Sequence, residues 1–142
     1  MRRKTCYFPP IMLNFPKKEA VMNQIREFDK MKMVVDCKKG EMYDQYLLGE
    51  YYAYKIYNAV TDYSFRVRLV ELTMTDSNDQ MKSMTSYAYI IESIDQMASR
   101  LKAIPIETKN IRDPLTDLNT LAKGYLFQYL IGNTDWSIPG LA

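Results

Sequence analysis

Apolar and polar positions along the chain follow two different periods, which separate candidate strands from candidate helices. A short apolar run at 11–15 and an alternating run at 31–35 are typical of strands. Two further strands are indicated at 65–75 and 87–91, and the turn-forming residues 76–79 lie between them. These last two runs predict an antiparallel hairpin.

Three segments have helical spacing. From 43 to about 60, apolar side chains occupy more than one face without an internal proline, which predicts a helix that packs on more than one side. Ser93 favours the N-cap of a short helix. A longer helix is predicted to begin with Asp113 as N-cap and Pro114 at its first position. The order of strands and helices predicts an α+β fold with a mainly antiparallel sheet.

Composition narrows the chemistry that a single domain of this size can perform. The 142 residues include no histidine, which excludes histidine acid–base catalysis, Ser-His or Cys-His nucleophile pairs and histidine-rich zinc sites within the chain. Carboxylate, lysine and amide groups remain, and phosphoryl transfer depends on these. The 19 basic and 17 acidic side chains are scattered, so no broad positive field predicts nucleic acid as a partner.

Cysteine usage and hydropathy bear on the compartment. Cys6 and Cys37 are too few for a disulfide scaffold and lack the spacing of a metal or redox motif, so reduced thiols and a single bridge both stay open. Basic residues follow Met1, but Pro9 and Pro10 interrupt the apolar stretch that a signal peptide needs. No run is long enough to span a bilayer. The sequence as given predicts neither an export signal nor a membrane span, and a cytoplasmic location by default; export stays open if the N-terminus is truncated.

Three local strings carry a resemblance to a known family. They are 9–15, the pair 54–58 and 63–69, and 127–137, which contains Gly-Asn-Thr-Asp. Together with the order of elements, these strings resemble an uncharacterised bacterial family related to the CotH-type spore-coat kinases and, more remotely, to HipA-like kinases. The resemblance covers most of the chain, and the last string is its chemically specific part.

The resemblance implies a kinase-like N-lobe over about residues 1–92 and the start of a C-lobe over about 93–142. ATP and Mg²⁺ are the implied cofactors of a phosphotransferase. In such folds a Gly-Asn-x-Asp stretch follows a long helix, and its aspartate meets the acceptor hydroxyl. Here Asp135 would have this role, Asn133 would fix the loop, and Gly132 would permit its tight conformation. An ordinary turn after a helix is the alternative interpretation.

A kinase-like N-lobe also needs a strand lysine for the nucleotide phosphates and a helix glutamate that orients it. Lys32 lies on the alternating strand, with Lys30 on the same face, and Glu50 lies in the middle of the next helix. We expect the Lys32 ammonium and the Glu50 carboxylate to meet beneath the sheet, and groups around Glu92 to meet the adenine. A solvated strand face and an exposed helix residue are the alternative interpretation.

Two departures from the family pattern narrow these expectations. No glycine lies between 14 and 29, where a phosphate loop is expected. The metal-binding residues that follow the catalytic aspartate are not found before Ala142, so we expect this chain alone to be inactive. The acceptor is either a protein or a small molecule. The alternatives are a non-catalytic pseudokinase-like or cell-envelope binding module, which the aromatic content favours, and an unrelated small α+β interaction protein.

Overall fold

Four antiparallel strands form the sheet that the alternating pattern predicts. In this computed structural model they are β1 (Ile11–Asn14), β2 (Lys30–Val35), β3 (Val67–Met74) and β4 (Met84–Ile91). Their order across the sheet is β1-β2-β4-β3, so the pair β1–β2 and the hairpin β3–β4 join along β2 and β4. The structure describes residues 10–16, 30–36, 38, 40–78, 80, 82–106 and 117–136.

Three helices accompany the sheet in the described part of the chain. α1 (Glu41–Val60) connects β2 to β3, and α2 (Ile94–Leu101) follows β4. Both helices and the sheet belong to a compact unit that ends at Ala103, whereas α3 (Leu118–Leu130) belongs to a second unit that begins at Ile104. The predicted α+β class with a mainly antiparallel sheet is confirmed.

Several element boundaries differ from the sequence prediction, and those of β4 and α3 differ most. β4 begins at Met84, earlier than the apolar run alone indicates, because the polar Thr85 and Ser86 still pair with β3. The predicted helix start at Asp113 lies outside the described residues, and α3 begins at Leu118. Its N-cap is Asp117, whose Oδ2 accepts a hydrogen bond from the Thr120 amide at 3.1 Å. A local side-chain bond of this kind is enough to set the start of a helix.

Two sequence expectations concern cysteine pairing and membrane spans. Cys6 and Cys37 lie outside the described residues, so their pairing stays open. Over the described ranges, no helix has both the length and the apolar character that a bilayer crossing requires.

The two faces of the sheet differ in exposure. Side chains of cross-strand partners project from the same face, and successive residues alternate between faces. The face that carries Met12, Lys32, Thr85 and Tyr89 is called the second face here. It is exposed at the first three of these residues and is closed where α1 packs on Tyr89. The first face has apolar members that are buried or half-buried along its length: Ile11, Leu13, Met31, Met33, Val35, Val70, Leu72, Ala88 and Ile90.

Tyrosine rings form the contact between α1 and the second face. The rings of Tyr51 and Tyr54 lie 6.3 and 6.1 Å from the ring of Tyr89 on β4. Tyr89 is fully buried, and Leu47 on α1 is 5% exposed. Tilted ring pairs at such distances stabilise by about 0.5–1.5 kcal/mol beyond the area they bury. The aromatic cluster therefore holds the helix on the sheet.

Arg100 on α2 joins the end of β4 to the connection between α1 and β3. Its Nε and Nη2 donate to the Glu92 carboxylate at 3.0 and 2.9 Å. Nη1 and Nη2 donate to the carbonyls of Asp62 and Ser64 at 2.9 and 2.8 Å. Glu92 also accepts from the Arg66 amide at 3.0 Å. The Arg100 and Glu92 side chains are only 17% and 11% exposed, so these charge-assisted bonds are largely shielded from water.

The same connection is held from the end of α1. Asn58 Nδ2 donates to Ser64 Oγ at 2.8 Å and to the Phe65 carbonyl at 2.9 Å. Ser64 Oγ in turn donates to the Thr61 carbonyl at 2.9 Å, and Ser64 is 6% exposed. The buried hydroxyl is therefore satisfied both as donor and as acceptor, as burial of a polar group requires.

We expect Arg100→Met to lower the free energy of unfolding by roughly 2–4 kcal/mol, because the Glu92 carboxylate and two carbonyls lose their partners. Chemical denaturation measures the change. Arg68→Met is the matched control, since Arg68 is exposed on β3 and its loss should change stability by no more than about 0.5 kcal/mol. Equal stability of the two variants would contradict the role of Arg100.

Candidate functional site

Lys32, the predicted phosphate ligand, is exposed on the second face of the sheet. It lies opposite Met12 on β1 and Ile91 on β4. Ile91 is two residues from Tyr89, so Lys32 projects from the face on which α1 packs. Lys30 is also exposed on this face. Met12 is 60% exposed and Ile91 is half-buried, so apolar side chains flank the ammonium group across both neighbouring strands.

Glu50, predicted to orient Lys32, is exposed on α1 beside the tyrosine cluster. Burial raises the pKa of Tyr89, and the nearby Glu50 carboxylate raises it further. The same two causes raise the pKa of Tyr54. The buried Tyr89 hydroxyl has no hydrogen-bond partner of good geometry among the described residues, so we attribute the influence of Glu50 mainly to its charge. The carboxylate therefore lies at the margin of the helix–sheet contact.

Lys32 and Glu50 lie on the same side of the sheet but are not paired. The shielded ion pair of the described residues joins Arg100 to Glu92, and none joins Lys32 to Glu50 within 4.0 Å. Both side chains are exposed, and an exposed ion pair stabilises by only about 0–1 kcal/mol. Water therefore competes effectively for both charges, and the expected contact between them is not formed.

Glu92, predicted beside the adenine, is engaged within the protein. Burial opposes ionisation of its carboxyl, but the Arg100 guanidinium and the Arg66 amide together hold the pKa below its usual value. The Glu92 amide donates to the Arg66 carbonyl at 2.9 Å. Ser93 forms the predicted N-cap of α2, in a capping box with Gln96. The Glu92 carboxylate and the amides of Glu92 and Ser93 are therefore all engaged within the protein at this strand end.

Two aspartates that the sequence did not single out lie where the end of β2 meets the start of α1. Asp36 follows β2, Asp44 lies in the first turn of α1, and both line a cavity of about 150 Å³ with Lys38 and the ends of β3 and β4. Burial and the neighbouring Asp44 carboxyl raise the pKa of Asp36 to about 7. A nearby like charge and burial both disfavour the ionised carboxylate, so Asp36 keeps its proton to a higher pH. Nothing in the local sequence marks this pair, since it depends on how helix and strand meet.

Asn133 and Asp135 follow α3 in the second unit, at a helix end closed by main-chain hydrogen bonds. Gly132 has a φ of 68°, and its amide donates to the Tyr129 carbonyl at 3.1 Å. The Asn133 amide donates to the Gln128 carbonyl at 2.9 Å. This is the Schellman pattern, which favours glycine because of the left-handed conformation. The predicted tight conformation at Gly132 is confirmed.

The Asn133 side chain fixes the loop in two directions. Its Nδ2 donates to Gln128 Oε1 at 2.8 Å, and its Oδ1 accepts from the Asp135 amide at 3.2 Å. The next residue, Trp136, packs edge-on against Tyr125 on α3 with ring centroids 4.8 Å apart. The helix end accounts for these contacts without any catalytic role, and the exposed Asp135 carboxylate keeps its role as a prediction.

Asp36→Asn should stabilise the protein at about pH 8 and have little effect near about pH 4. The folded-state pKa of about 7 lies above that of an unfolded aspartate, about 3.9. The folded chain therefore holds a proton that the unfolded chain has released, and wild-type stability falls as pH rises between these values. An asparagine side chain does not ionise, so the variant does not lose this stability as pH rises. Denaturation at both pH values measures the difference.

Glu41→Gln is the matched control, because Glu41 is an acid in the same first turn of α1 and its removal leaves the aspartate pair intact. The wild-type pH dependence should persist in that variant. An Asp36→Asn variant with unchanged pH dependence would contradict the raised pKa of Asp36.

Comparisons with known proteins provide no relative from which a role can be transferred. No protein-family model, no curated protein and no solved structure matches the chain. The function of these residues is therefore argued from their own geometry.

Proposed function

We propose that the first unit binds ATP on the exposed sheet face around Lys32, as the nucleotide-binding part of a kinase-like phosphotransferase. The observation that supports this most is a shared face: Lys32 projects from β2 on the side where α1 carries Glu50, next to the end of β4. Protein kinases hold the phosphates with a strand lysine that a glutamate from a neighbouring helix orients. In this chain, successive elements supply both residue types.

The surroundings of Lys32 suit a nucleotide. Its ammonium is exposed, and Met12 and Ile91 flank it across the neighbouring strands. Ligand sites commonly combine apolar surface with a few placed polar groups. The base packs against the apolar side chains near the end of β4, and the phosphates reach the cation. The phosphate charge favours a lysine that is not already neutralised by a carboxylate.

Glu50 acts as a positioning residue in this proposal. In the free chain Glu50 and Lys32 are both exposed. They are not paired, because an ion pair between exposed groups gains little over hydration. A bound nucleotide covers part of this face from water, which strengthens charge interactions there. The Glu50 carboxylate then restricts the directions that the Lys32 ammonium can take.

Magnesium accompanies ATP in such enzymes, where it bridges phosphate oxygens and neutralises developing charge. Within the described ranges, no group of three or more cysteine, aspartate or glutamate side chains is placed to hold a metal ion. We therefore assign no magnesium ligand in this chain. The phosphate ligand of the proposal is Lys32.

Asp135 is the candidate for the acceptor hydroxyl in the second unit. In this role its carboxylate accepts the proton of an acceptor hydroxyl as a general base. Asn133 holds the loop through its hydrogen bonds to Gln128 and the Asp135 amide. The acceptor is a protein or a small molecule that carries a hydroxyl group.

Lys32→Ala should weaken binding of Mg-ATP at least about tenfold, because the phosphates lose their cation. Isothermal titration calorimetry measures the affinity, and the unfolding transition checks that the fold is retained. Lys30→Ala is the matched control, since Lys30 is exposed on the same strand face, and it should bind as the wild type does. Unchanged affinity in Lys32→Ala, or an equal loss in both variants, would reject the role of Lys32.

A non-catalytic binding module is the second candidate function. Its support is the outer side of α1, where Met42, Tyr46, Tyr52 and Ile56 are each at least half exposed. Contiguous exposed apolar surface marks interaction sites. A wild-type chain that does not bind Mg-ATP, yet associates through this side of α1, would favour that candidate over the phosphotransferase.

A further inference from the structure

The outer side of α1 is apolar along its whole length. Its central residues recur at alternating intervals of four and three positions, which is the spacing of the seam between two helices of a coiled coil. The four large members are 49% to 65% exposed. We call this row the α1 stripe, and it consists of Met42, Tyr46, Gly49, Ala53, Ile56 and Val60.

No charged residue interrupts the α1 stripe. The charged side chains of the helix, those of Glu41, Asp44, Glu50 and Lys55, project away from it at 100° per residue. A helix face that stays in water normally carries charged or polar side chains. An apolar outer face that also lacks charge therefore indicates a surface that is covered by a partner.

Gly49, in the middle of the stripe, is a second and independent observation. It is exposed, its φ is not positive, and no atom of the described residues outside its own helix backbone lies within 4 Å of the position that a Cβ would take. Neither backbone conformation nor packing within the described part of the chain therefore requires glycine here, although glycine weakens a helix interior. The close approach of another backbone does favour glycine. Gly49 and Ala53 together form a shallow notch at the centre of the stripe.

The α1 stripe is self-complementary. A two-fold axis at the level of Tyr51 places a second α1 antiparallel to the first, with large side chains opposite large ones and the two small residues opposite each other. Closed two-fold dimers are the commonest soluble oligomers. The opposed pairs are Met42 with Val60, Tyr46 with Ile56, and Gly49 with Ala53.

We propose that two copies of this chain associate through their α1 stripes as an antiparallel helix pair. The helix has 20 residues, and the exposed parts of the stripe, about half of each large side chain, amount to on the order of 450 Å² per copy. Because this is little more than half of the roughly 800 Å² per partner of a standard interface, it favours a weak dimer that dissociates on dilution. Lys32 takes no part in the contact, so the dimer stands or falls independently of ATP binding.

Sedimentation equilibrium of the full chain over a range of micromolar concentrations tests the dimer. The wild type should be dimeric at the upper end, and Ile56→Lys should be monomeric, with an apparent mass about twofold lower. Ile94→Lys is the matched control, since Ile94 on α2 is 58% exposed and Ile56 is 50% exposed. It should remain dimeric. A wild type that stays monomeric throughout, or a dimeric Ile56→Lys, would overturn the proposal and leave the stripe to another partner.

Gly49→Leu distinguishes loss of the contact from loss of the fold. The open space around Gly49 accepts a side chain in the single copy, so the unfolding transition should be retained. The leucine fills the notch and separates the two helices, so the dimer dissociation constant should rise at least about tenfold. An unchanged dissociation constant would contradict close approach at this position.

Disulfide cross-linking tests the antiparallel register. Gly49→Cys and Ala53→Cys are introduced separately into chains in which Cys6 and Cys37 are replaced by serine. After mixing and oxidation, the antiparallel pair predicts cross-links between the two different variants. Cross-links that join like chains instead would indicate a parallel pair and overturn the arrangement.

Discussion

One guanidinium group, that of Arg100, connects three parts of the first unit. It binds the Glu92 carboxylate at the end of β4 and two carbonyls that precede β3, and its own backbone belongs to α2. Glu92 also exchanges main-chain and side-chain bonds with Arg66, which extends the β3–β4 pairing beyond Ile91. The register at this end of the sheet therefore depends on a charge pair rather than on strand pairing alone.

The register of β4 against its two neighbours decides which side chains project from each face of the sheet. Because β4 lies between β2 and β3, the residue at its end, Ile91, is opposite Lys32 on one side and Val67 on the other. A shift of β2 by one residue against β4 would turn Lys32 to the opposite face, away from the helix that carries Glu50. The proposed nucleotide surface thus depends on the β2–β4 pairing, and Arg100 holds β4 where that pairing ends through its bonds to Glu92.

α1 has apolar residues on both sides, and each side has a different use. The inner side holds Tyr51 and Tyr54 against Tyr89, which secures the helix on the sheet. The outer side carries the α1 stripe and has no large contact within the described part of the chain that removes it from water. A helix that is apolar on two sides normally packs on two sides, and a second copy of the chain supplies the missing contact.

Local signals in the sequence predicted much of the fold and little of its long-range contacts. Period-two alternation identified β2 and β3, and short apolar runs identified β1 and β4. Ser93 and Gly132 marked helix ends correctly, because caps depend on a few neighbouring residues. The pairing of β2 with β4 and the bonds of Arg100 to Asp62 and Ser64 depend on chain segments that are distant in sequence. The raised pKa of Asp36 depends on burial and on the neighbouring Asp44 carboxyl, which no local pattern reveals.

The central claim is that the sheet face around Lys32 is a nucleotide surface, and amide chemical shifts test it most directly. A titration of the labelled chain with Mg-ATP should shift the amide resonances of Met12, Lys32 and Ile91, which lie side by side on three neighbouring strands. Resonances of Thr73 and Thr85, at the other end of the sheet, should change little. Saturable shifts confined to residues outside this face, or no shifts at all, would contradict the claim.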